Sequence, residues 1–259
     1  MSQANHYLGI DVGASGIKGA IVDVATGELL TERLRVPTPQ PATPEAMTEA
    51  FRELYAQFDY DGDYVGVGFP AIVRRGVAMS AANIHPDWIR TSISALWTRA
   101  CGKRVFALND ADAAGLASVE FGSAKEARGV VVFLTIGTGI GSALFVDNRL
   151  VPNSELGHIY MPNGMKSEHY ASNKTRKTLD LSWEEWGKRF DEVLAQVDRI
   201  LSPDLILLGG GASKKFDLYE ACLNVDCPVE PAAFRNHAGS IGAALYAAQC
   251  SAKGTPALS

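Results

Sequence analysis

Asn109 and Asp110 sit where a chain can place reactive groups. The run Arg104 to Leu108 reads as a buried strand and Ala111 to Phe121 as a helix. Asn109-Asp110-Ala111-Asp112-Ala113-Ala114 therefore falls at the carboxyl end of a strand, the edge where open α/β sheets hold ligands. Asp110 suits two roles. Its carboxylate can cap the helix by accepting orphan N–H groups of the first turn. It can also act as a general base, taking the proton of a sugar hydroxyl during phosphoryl transfer. That role requires hydrogen-bond reach rather than a raised pKa, because the proton leaves late in a loose transition state.

Other residues support the second role. Asp11-Val12-Gly13-Ala14-Ser15-Gly16-Ile17-Lys18 and Gly137-Thr138-Gly139-Ile140-Gly141 are glycine turns between strand-like runs. Backbone N–H groups in such turns converge on phosphate oxygens, since no Cβ blocks the approach. Lys18 adds a point charge, and Asp11 is placed to hold Mg²⁺ through its water shell. An ordinary hairpin has the same appearance, so the pair gains weight mainly from Gly209-Gly210-Gly211 after a third strand. Asn83, Asn109, Glu155 and His158 are types that pair sugar hydroxyls in both directions, and such sites discriminate sharply. A lone histidine is as readily structural. Glu155-Leu156-Gly157-His158 has the spacing of metal ligands on a helix, but Gly157 and Pro152-Asn153 argue for a loop, and no third ligand is evident.

The elements that must position these residues follow from periodicity. Tyr7 to Val12, Ile17 to Val24 and Leu29 to Val36 read as a three-strand meander. The Gly13–Gly16 turn is thus strand–turn–strand, unlike dinucleotide or Walker loops, which need a following helix. Thr43 caps a helix with Pro44 at its first position and Met47, Phe51, Leu54 and Phe58 on one face. Asp59 to Asp63 resembles a calcium loop, but Pro70 stands at the twelfth position, so it reads as a turn. Tyr64 to Phe69 is a strand, and a helix spans Thr91 to about Ala100. Val130 to Ile136 and Ser142 to Val146 flank the second glycine turn. Offset by about 124 residues, this repeats the opening design, Gly13 falling on Gly137, and suggests two similarly built lobes. Met161 to Leu181 reads as irregular and basic. Ser182 and Glu185 form a capping box for a long amphipathic helix ending near Pro203. Asp204 to Leu208 is a strand, with a helix expected after Gly211. Pro228 to Ala232 is extended, Gly239 to Cys250 helical, and Ser251 to Ser259 a loose tail.

Composition narrows the class. A chain of 259 residues, 47% hydrophobic and 20% charged, is that of a soluble globular protein with room for two lobes. It shows neither a membrane-spanning run nor a signal peptide, which suggests the cytoplasm. The net charge of −5 gives no global pull toward nucleic acid or membrane. Cys101, Cys222, Cys227 and Cys250 are scattered and suggest neither zinc nor a disulfide framework.

Four stretches, Asp11 to Lys18, Asn109 to Ala114, Gly137 to Gly141 and Ser154-Glu155-Leu156-Gly157-His158, resemble in order the signatures of the ROK sugar kinases, in the actin/hexokinase-like superfamily. The resemblance spans roughly residues 7 to 248. It implies an α/β, ribonuclease H-like fold of two lobes with mixed sheets and a central cleft. The lobes would be 1–109 and 110–238, with a helix at 239–250 returning to the N-terminal lobe. It implies Asp110 as catalytic base and Asn83, Asn109, Asp110, Glu155 and His158 on the sugar. It further implies Gly13, Ala14, Ser15, Gly16, Lys18, Gly137, Thr138, Gly139, Gly210 and Gly211 on the phosphate donor, Mg²⁺ at Asp11, and a homodimer. Most members carry a zinc-binding cysteine cluster after the Glu-x-x-His loop. Here no cysteine lies between Cys101 and Cys222, so no zinc is expected, and Glu168 stands in for the sugar-binding glutamate that follows the cluster. Ala14, Ala71 and Ser154 replace usual glycines.

Within the family, Gly9 to Gly19, Pro37 to Glu45 and Leu181 to Trp186 look like the polyphosphate-using glucokinases and glucomannokinases of actinobacteria. That implies transfer from polyphosphate, and also from ATP, to the 6-hydroxyl of glucose or mannose. A polyanion needs a positive track, for which Lys18, Lys103, Arg104, Lys166, Lys174, Arg176, Lys177, Lys214 and Lys215 are candidates. ATP would need an adenine slot beside Gly210 to Ser213. The rivals are an ATP-only hexose or N-acylhexosamine kinase, a sugar-sensing repressor and an actin-like filament protein. The repressor would need a DNA-binding segment for which six residues before the first strand leave no room.

Overall fold

The computed structural model describes residues 5–82, 84–232 and 237–254. The chain divides into two compact units, Met1–Ala117 with Asn236–Ser259, and Ser118–Arg235.

The first unit opens with an antiparallel hairpin, β1 (His6–Gly13) and β2 (Gly16–Asp23), in which Gly13 pairs with Gly16 across the turn. The third strand is not continuous. It splits into β3 (Glu28–Leu29) and β4 (Leu34–Val36), both paired with β2. The polar stretch Thr31-Glu32-Arg33 between them offers no apolar residue to bury, so pairing lapses there. Helix α1 (Pro44–Tyr55) starts at Thr43, whose hydroxyl accepts the Ala46 N–H, and buries Met47, Phe51 and Leu54; Phe58 lies beyond its end. Strand β5 (Tyr64–Phe69) runs parallel to β1. A small hairpin, β6 (Val73–Arg74) and β7 (Val77–Ala78), precedes α2 (Ile93–Cys101), which Ser92 caps. Strand β8 (Arg104–Asn109), parallel to β5, leads directly into α3 (Asp110–Phe121).

An aromatic cluster closes this core. Phe51 stacks on Trp97 at 4.4 Å and Phe69 tilts against Trp88 at 4.7 Å. Both indole N–H groups are satisfied, Trp97 by the Thr48 hydroxyl and Trp88 by the Ala42 carbonyl, as buried indoles require.

The second unit repeats the plan. Strands β9 (Val130–Ile136) and β10 (Ile140–Val146) form an antiparallel hairpin, β11 (Arg149–Val151) pairs with β10, and β12 (Leu205–Gly209) and β13 (Val229–Pro231) continue in parallel beyond β9. The path β3-β2-β1-β5-β8 in one sheet matches β11-β10-β9-β12-β13 in the other, with the same strand senses. The internal repeat is therefore a repeat of topology.

The stretch read as irregular contains two short helices, α4 (Ser167–Ala171) and α5 (Asn173–Thr178), the second capped by Ser172. Neither is long enough to display helical periodicity. Helix α6 (Trp183–Leu201) carries the capping box with both of its hydrogen bonds made. It buries Trp186 against Phe190 at 4.9 Å, with the Trp186 indole donating to the Ala171 carbonyl. After β12 (Leu205–Gly209) the expected helix is a single turn, α7 (Gly210–Ser213), followed by 3-10 turns and β13 (Val229–Pro231).

Helix α8 (Ala238–Ala252) runs past Cys250 and packs on the first sheet. The approach is close. A Cβ on Gly9 would collide with the Ser240 carbonyl, and one on Gly66 with that of Ala243. Among the described residues no helix is long and apolar enough to cross a membrane.

Candidate active site

In the first unit, β8 and α3 meet at Asn109-Asp110, and the capping is done by Asn109 rather than Asp110. Its side-chain oxygen accepts the Ala111 and Asp112 N–H groups at 2.8 and 3.1 Å, while its amide donates to the Ala71 carbonyl at 3.1 Å. Among the described residues three of its four hydrogen-bonding positions are thus taken, and the fourth, an amide N–H, can serve a ligand. The Asp110 carboxylate takes the Ala111 N–H at 2.8 Å and begins the helix, where its charge is favoured by the helix dipole.

Asp11 lies two residues before Gly13 on β1 and pairs across the hairpin with Lys18, whose ammonium is 3.7 Å from its carboxylate. Burial pushes the Asp11 pKa up, and the charges of Lys18 and Arg33 partly offset this. Gly239, in the first turn of α8, lies so near that its Cβ would fall 2.7 Å from the Asp11 carboxyl carbon. The Gly13–Gly16 turn is tied down by Arg35 on β4 and by Thr38 just beyond it. The Thr38 hydroxyl donates to the Gly13 carbonyl at 2.6 Å, and the Arg35 guanidinium to the Ser15 carbonyl at 2.5 Å. The Arg35 guanidinium rests on Gly16, where an added Cβ would push it aside. Ala14 and Ser15 are exposed at the tip.

In the second unit, Glu155, His158 and Glu168 come together. His158 Nδ1 is 4.0 Å from a Glu155 carboxylate oxygen, and Nε2 is 3.5 Å from one of Glu168. Glu155 precedes a 3-10 turn, Leu156–His158, and Glu168 is on α4. Burial raises the Glu155 pKa. His158 and Lys166 pull it down and Glu168 pushes it up, His158 acting most strongly among these charges. The Glu168 carboxylate also covers the glycine turn, where a Cβ on Gly139 would fall 2.5 Å from its oxygen. The turn is closed by the Gly137 N–H donating to the Gly139 carbonyl at 3.0 Å, and the Lys174 N–H meets the Gly137 carbonyl at 3.2 Å. Thr138 is at its tip. Gly210 bridges to Ile136 with φ of +77°, and Gly211 lies beside the Asn173 amide.

Two serines that hold this cluster escaped the sequence analysis. Buried Ser142 donates to the Ser154 carbonyl at 2.7 Å and accepts the Leu156 N–H at 2.9 Å. Buried Ser167 donates to the Leu156 carbonyl at 2.9 Å. Their signal was a hydroxyl placed where the strand and helix patterns call for an apolar residue.

The other candidates scatter. Asn83 lies outside the described residues. Lys103 and Arg104 stand at the amino end of β8, roughly 17 Å from Asn109 by strand rise; Lys103 donates to the Asp61 carbonyl and Arg104 lies over Phe106. Arg176 is folded back on Trp183 at 4.1 Å and donates to the Leu181 carbonyl, so it serves the start of α6. Lys174, Lys177, Lys214 and Lys215 are exposed.

Among the described residues no three His, Cys, Asp or Glu side chains gather to hold a metal ion. Asp11 nonetheless fits a hydrated cation. It is a hard oxygen donor beside a glycine turn, and a carboxylate disfavoured by burial gains from added positive charge.

Comparison with known proteins gives the family. Residues 7–174 match the ROK family. The chain is 42% identical over 241 residues to the polyphosphate glucokinase of Mycobacterium tuberculosis (strain CDC 1551 / Oshkosh), covering 93% of this chain and 90% of that one. The inorganic polyphosphate/ATP-glucomannokinase of Arthrobacter sp. strain KM superimposes with a TM-score of 0.89 at 45% identity, covering 94% of this chain and 98% of that one. A ROK family glucokinase from Streptomyces griseus shares the fold with a TM-score of 0.81 at 23% identity, over 94% of this chain and 99% of its own. With its paired, identically ordered sheets of the actin/hexokinase-like fold, the chain belongs to the ROK family.

Proposed function

We propose that this protein transfers a phosphoryl group from inorganic polyphosphate to the 6-hydroxyl of glucose, and that mannose and ATP serve as second acceptor and donor. The observation that carries the proposal is the Glu155–His158–Glu168 cluster lying directly on the Gly137–Gly139 turn. Groups suited to hydroxyls and groups suited to phosphate are thereby built into one piece of chain. The names of the relatives supply the donor and the sugar: polyphosphate glucokinase at 42% identity and polyphosphate/ATP-glucomannokinase at 45%.

In this mechanism Asn109, Glu155, His158 and Glu168, with Asn83, hold the sugar hydroxyls. Glu155 and Glu168 accept from them, His158 accepts or donates, and Asn109 donates its remaining N–H. Asp110 receives the proton of the attacking hydroxyl as the new O–P bond forms. Backbone N–H groups of the Gly13–Gly16 turn and of Thr138 and Gly139, with Lys18, take the charge on the phosphate oxygens, the positioned electrostatics that phosphoryl transfer chiefly requires; Gly137 closes its turn and lets the phosphate approach without a side chain in the way. Asp11 would hold Mg²⁺ through water, which supplies charge neutralisation on the donor when bound. Gly210 and Gly211 are further donor contacts in this reading. The enzyme works without zinc, as a cytoplasmic homodimer.

The test is formation of hexose 6-phosphate from glucose and Mg²⁺, with purified polyphosphate and ATP in parallel. Turnover with polyphosphate is the expected result. Turnover with ATP alone would make this an ATP-dependent hexose kinase, and turnover of an N-acylhexosamine in place of glucose would replace the acceptor.

A further inference from the structure

The hairpin that carries the first glycine turn presents more positive charge than Lys18 alone. Strand register puts Asp11 opposite Lys18 and Lys18 opposite Arg35. Paired residues in neighbouring strands share a face of the sheet, so these three form one row across β1, β2 and β4. Gly16, two residues before Lys18, is on that face too, which is why the Arg35 guanidinium comes to rest on it. Arg33 stands two residues before Arg35, just ahead of β4. Its charge acts on Asp11 and on His237 at the start of α8. Three cations and one carboxylate thus lie beside the turn to which the proposed mechanism gives the phosphate.

Arg35 is exposed although it donates to the Ser15 carbonyl. A guanidinium has five N–H donors in a planar fork, so one hydrogen bond leaves the others for an anion. If the Gly13–Gly16 turn receives the phosphates near the transferred group, the next phosphates of a long chain need cations beyond the turn. A nucleotide ends in a sugar and a base at that point and makes no such demand.

We propose that Lys18, Arg33 and Arg35 form a cationic strip that binds the distal phosphates of a polyphosphate chain, and that Arg33 and Arg35 set the preference for long donors over short ones. The inference rests on the polyphosphate reading given above and adds residues to it. It also moves the positive track away from Lys103 and Arg104, at the amino end of β8, and from Arg176, which lies on the Trp183 ring.

The test is binding rather than turnover. Isothermal titration calorimetry of the intact protein, without sugar, compares a long-chain polyphosphate fraction with tripolyphosphate at several salt concentrations. Arg33→Gln and Arg35→Gln are each expected to weaken the long chain about tenfold and to lower the slope of log K against log salt by about one, as loss of one phosphate contact does for polyanions. Tripolyphosphate affinity should fall by less than about twofold, and Arg35→Lys, which keeps the charge, should stay within about threefold of wild type on the long chain. Equal losses for long and short chains would overturn the proposal, since Arg35 would then merely shape the turn. So would an Arg35→Lys protein as weak as Arg35→Gln, or single-stranded DNA that binds as tightly as polyphosphate. Should Arg35→Gln fail to fold, Arg33→Gln carries the same comparison. A protein that binds long chains through these arginines but transfers no phosphoryl group would support the strip while sinking the donor assignment.

Discussion

Glu155 is costly to keep charged. Burial raises its pKa above the unfolded value of 4.5, so the folded state holds this proton more tightly than the unfolded chain. Stability from this group is complete below the unfolded pKa and is lost as pH rises through the folded one. At neutral pH the ionised carboxylate is a net cost. Glu155→Gln should therefore raise Tm at pH 7 by about 1–2 °C, a small gain because the side chain is partly exposed. The gain should vanish below about pH 4.5, and glucose affinity should fall in the same variant. A Tm difference that grew toward acid would contradict the sign. Gly139→Ala tests the neighbouring contact. Its Cβ meets the flexible end of Glu168 at 2.5 Å, so the carboxylate gives way rather than the backbone. Glucose KM should rise about tenfold with Tm nearly unchanged, in keeping with the cost of one misplaced hydrogen-bonding group. Asp110→Asn should lower kcat by about 10²–10⁴-fold, the usual worth of a general base, and shift glucose KM far less. Residual activity close to wild type would remove Asp110 from that role.

At this scale residue type was legible and partnership was not. Asp110, Glu155 and His158 stand out as polar residues at element ends. Glu168 meets His158 only because α4 folds back over the glycine turn, and Arg35 reaches Gly16 only through the register of β4, three-dimensional facts that spacing does not encode.

Among the elements, long periodic segments were read well and short ones poorly. Helix α6 shows why. A capping box, nineteen residues and an apolar face announce it. Ser182→Ala removes the hydroxyl that accepts the Glu185 N–H, while the Ser182 backbone N–H still meets the Glu185 carboxylate; the change should cost about 1 kcal/mol, visible as a lower denaturation midpoint. Helices α4 and α5 have five and six residues, too few for a 3.6-residue period to emerge, and they are held by tertiary contacts. Gly66 measures how closely α8 must approach. A methyl there strikes the Ala243 backbone, which cannot swing aside as a side chain does. Gly66→Ala should destabilise the first unit by about 1–3 kcal/mol.

For the whole molecule, the repeated strand order was legible only as two glycine turns at a fixed offset. The sequence identity between the halves is slight, whereas identical pairing of five strands is a property of the backbone. The tryptophans divide between the units, Trp88 and Trp97 in one, Trp183 and Trp186 in the other. Replacing either pair with phenylalanine lets fluorescence follow one unit at a time. With Gly66→Ala in the background, the transition reported by Trp88 and Trp97 should move to lower denaturant more than that reported by Trp183 and Trp186. Equal shifts would mean that the units unfold as one.

The return of α8 to the first sheet has a consequence for synthesis. The strands that α8 covers leave the ribosome early, while the helix that covers them follows more than a hundred residues later. At bacterial or eukaryotic elongation speeds that is a wait on the order of ten seconds. Ser118–Arg235 is contiguous and can finish folding as it emerges. The older half of the nascent chain cannot. Through that interval it carries an uncovered apolar sheet, the kind of surface that aggregates unless chaperones hold it.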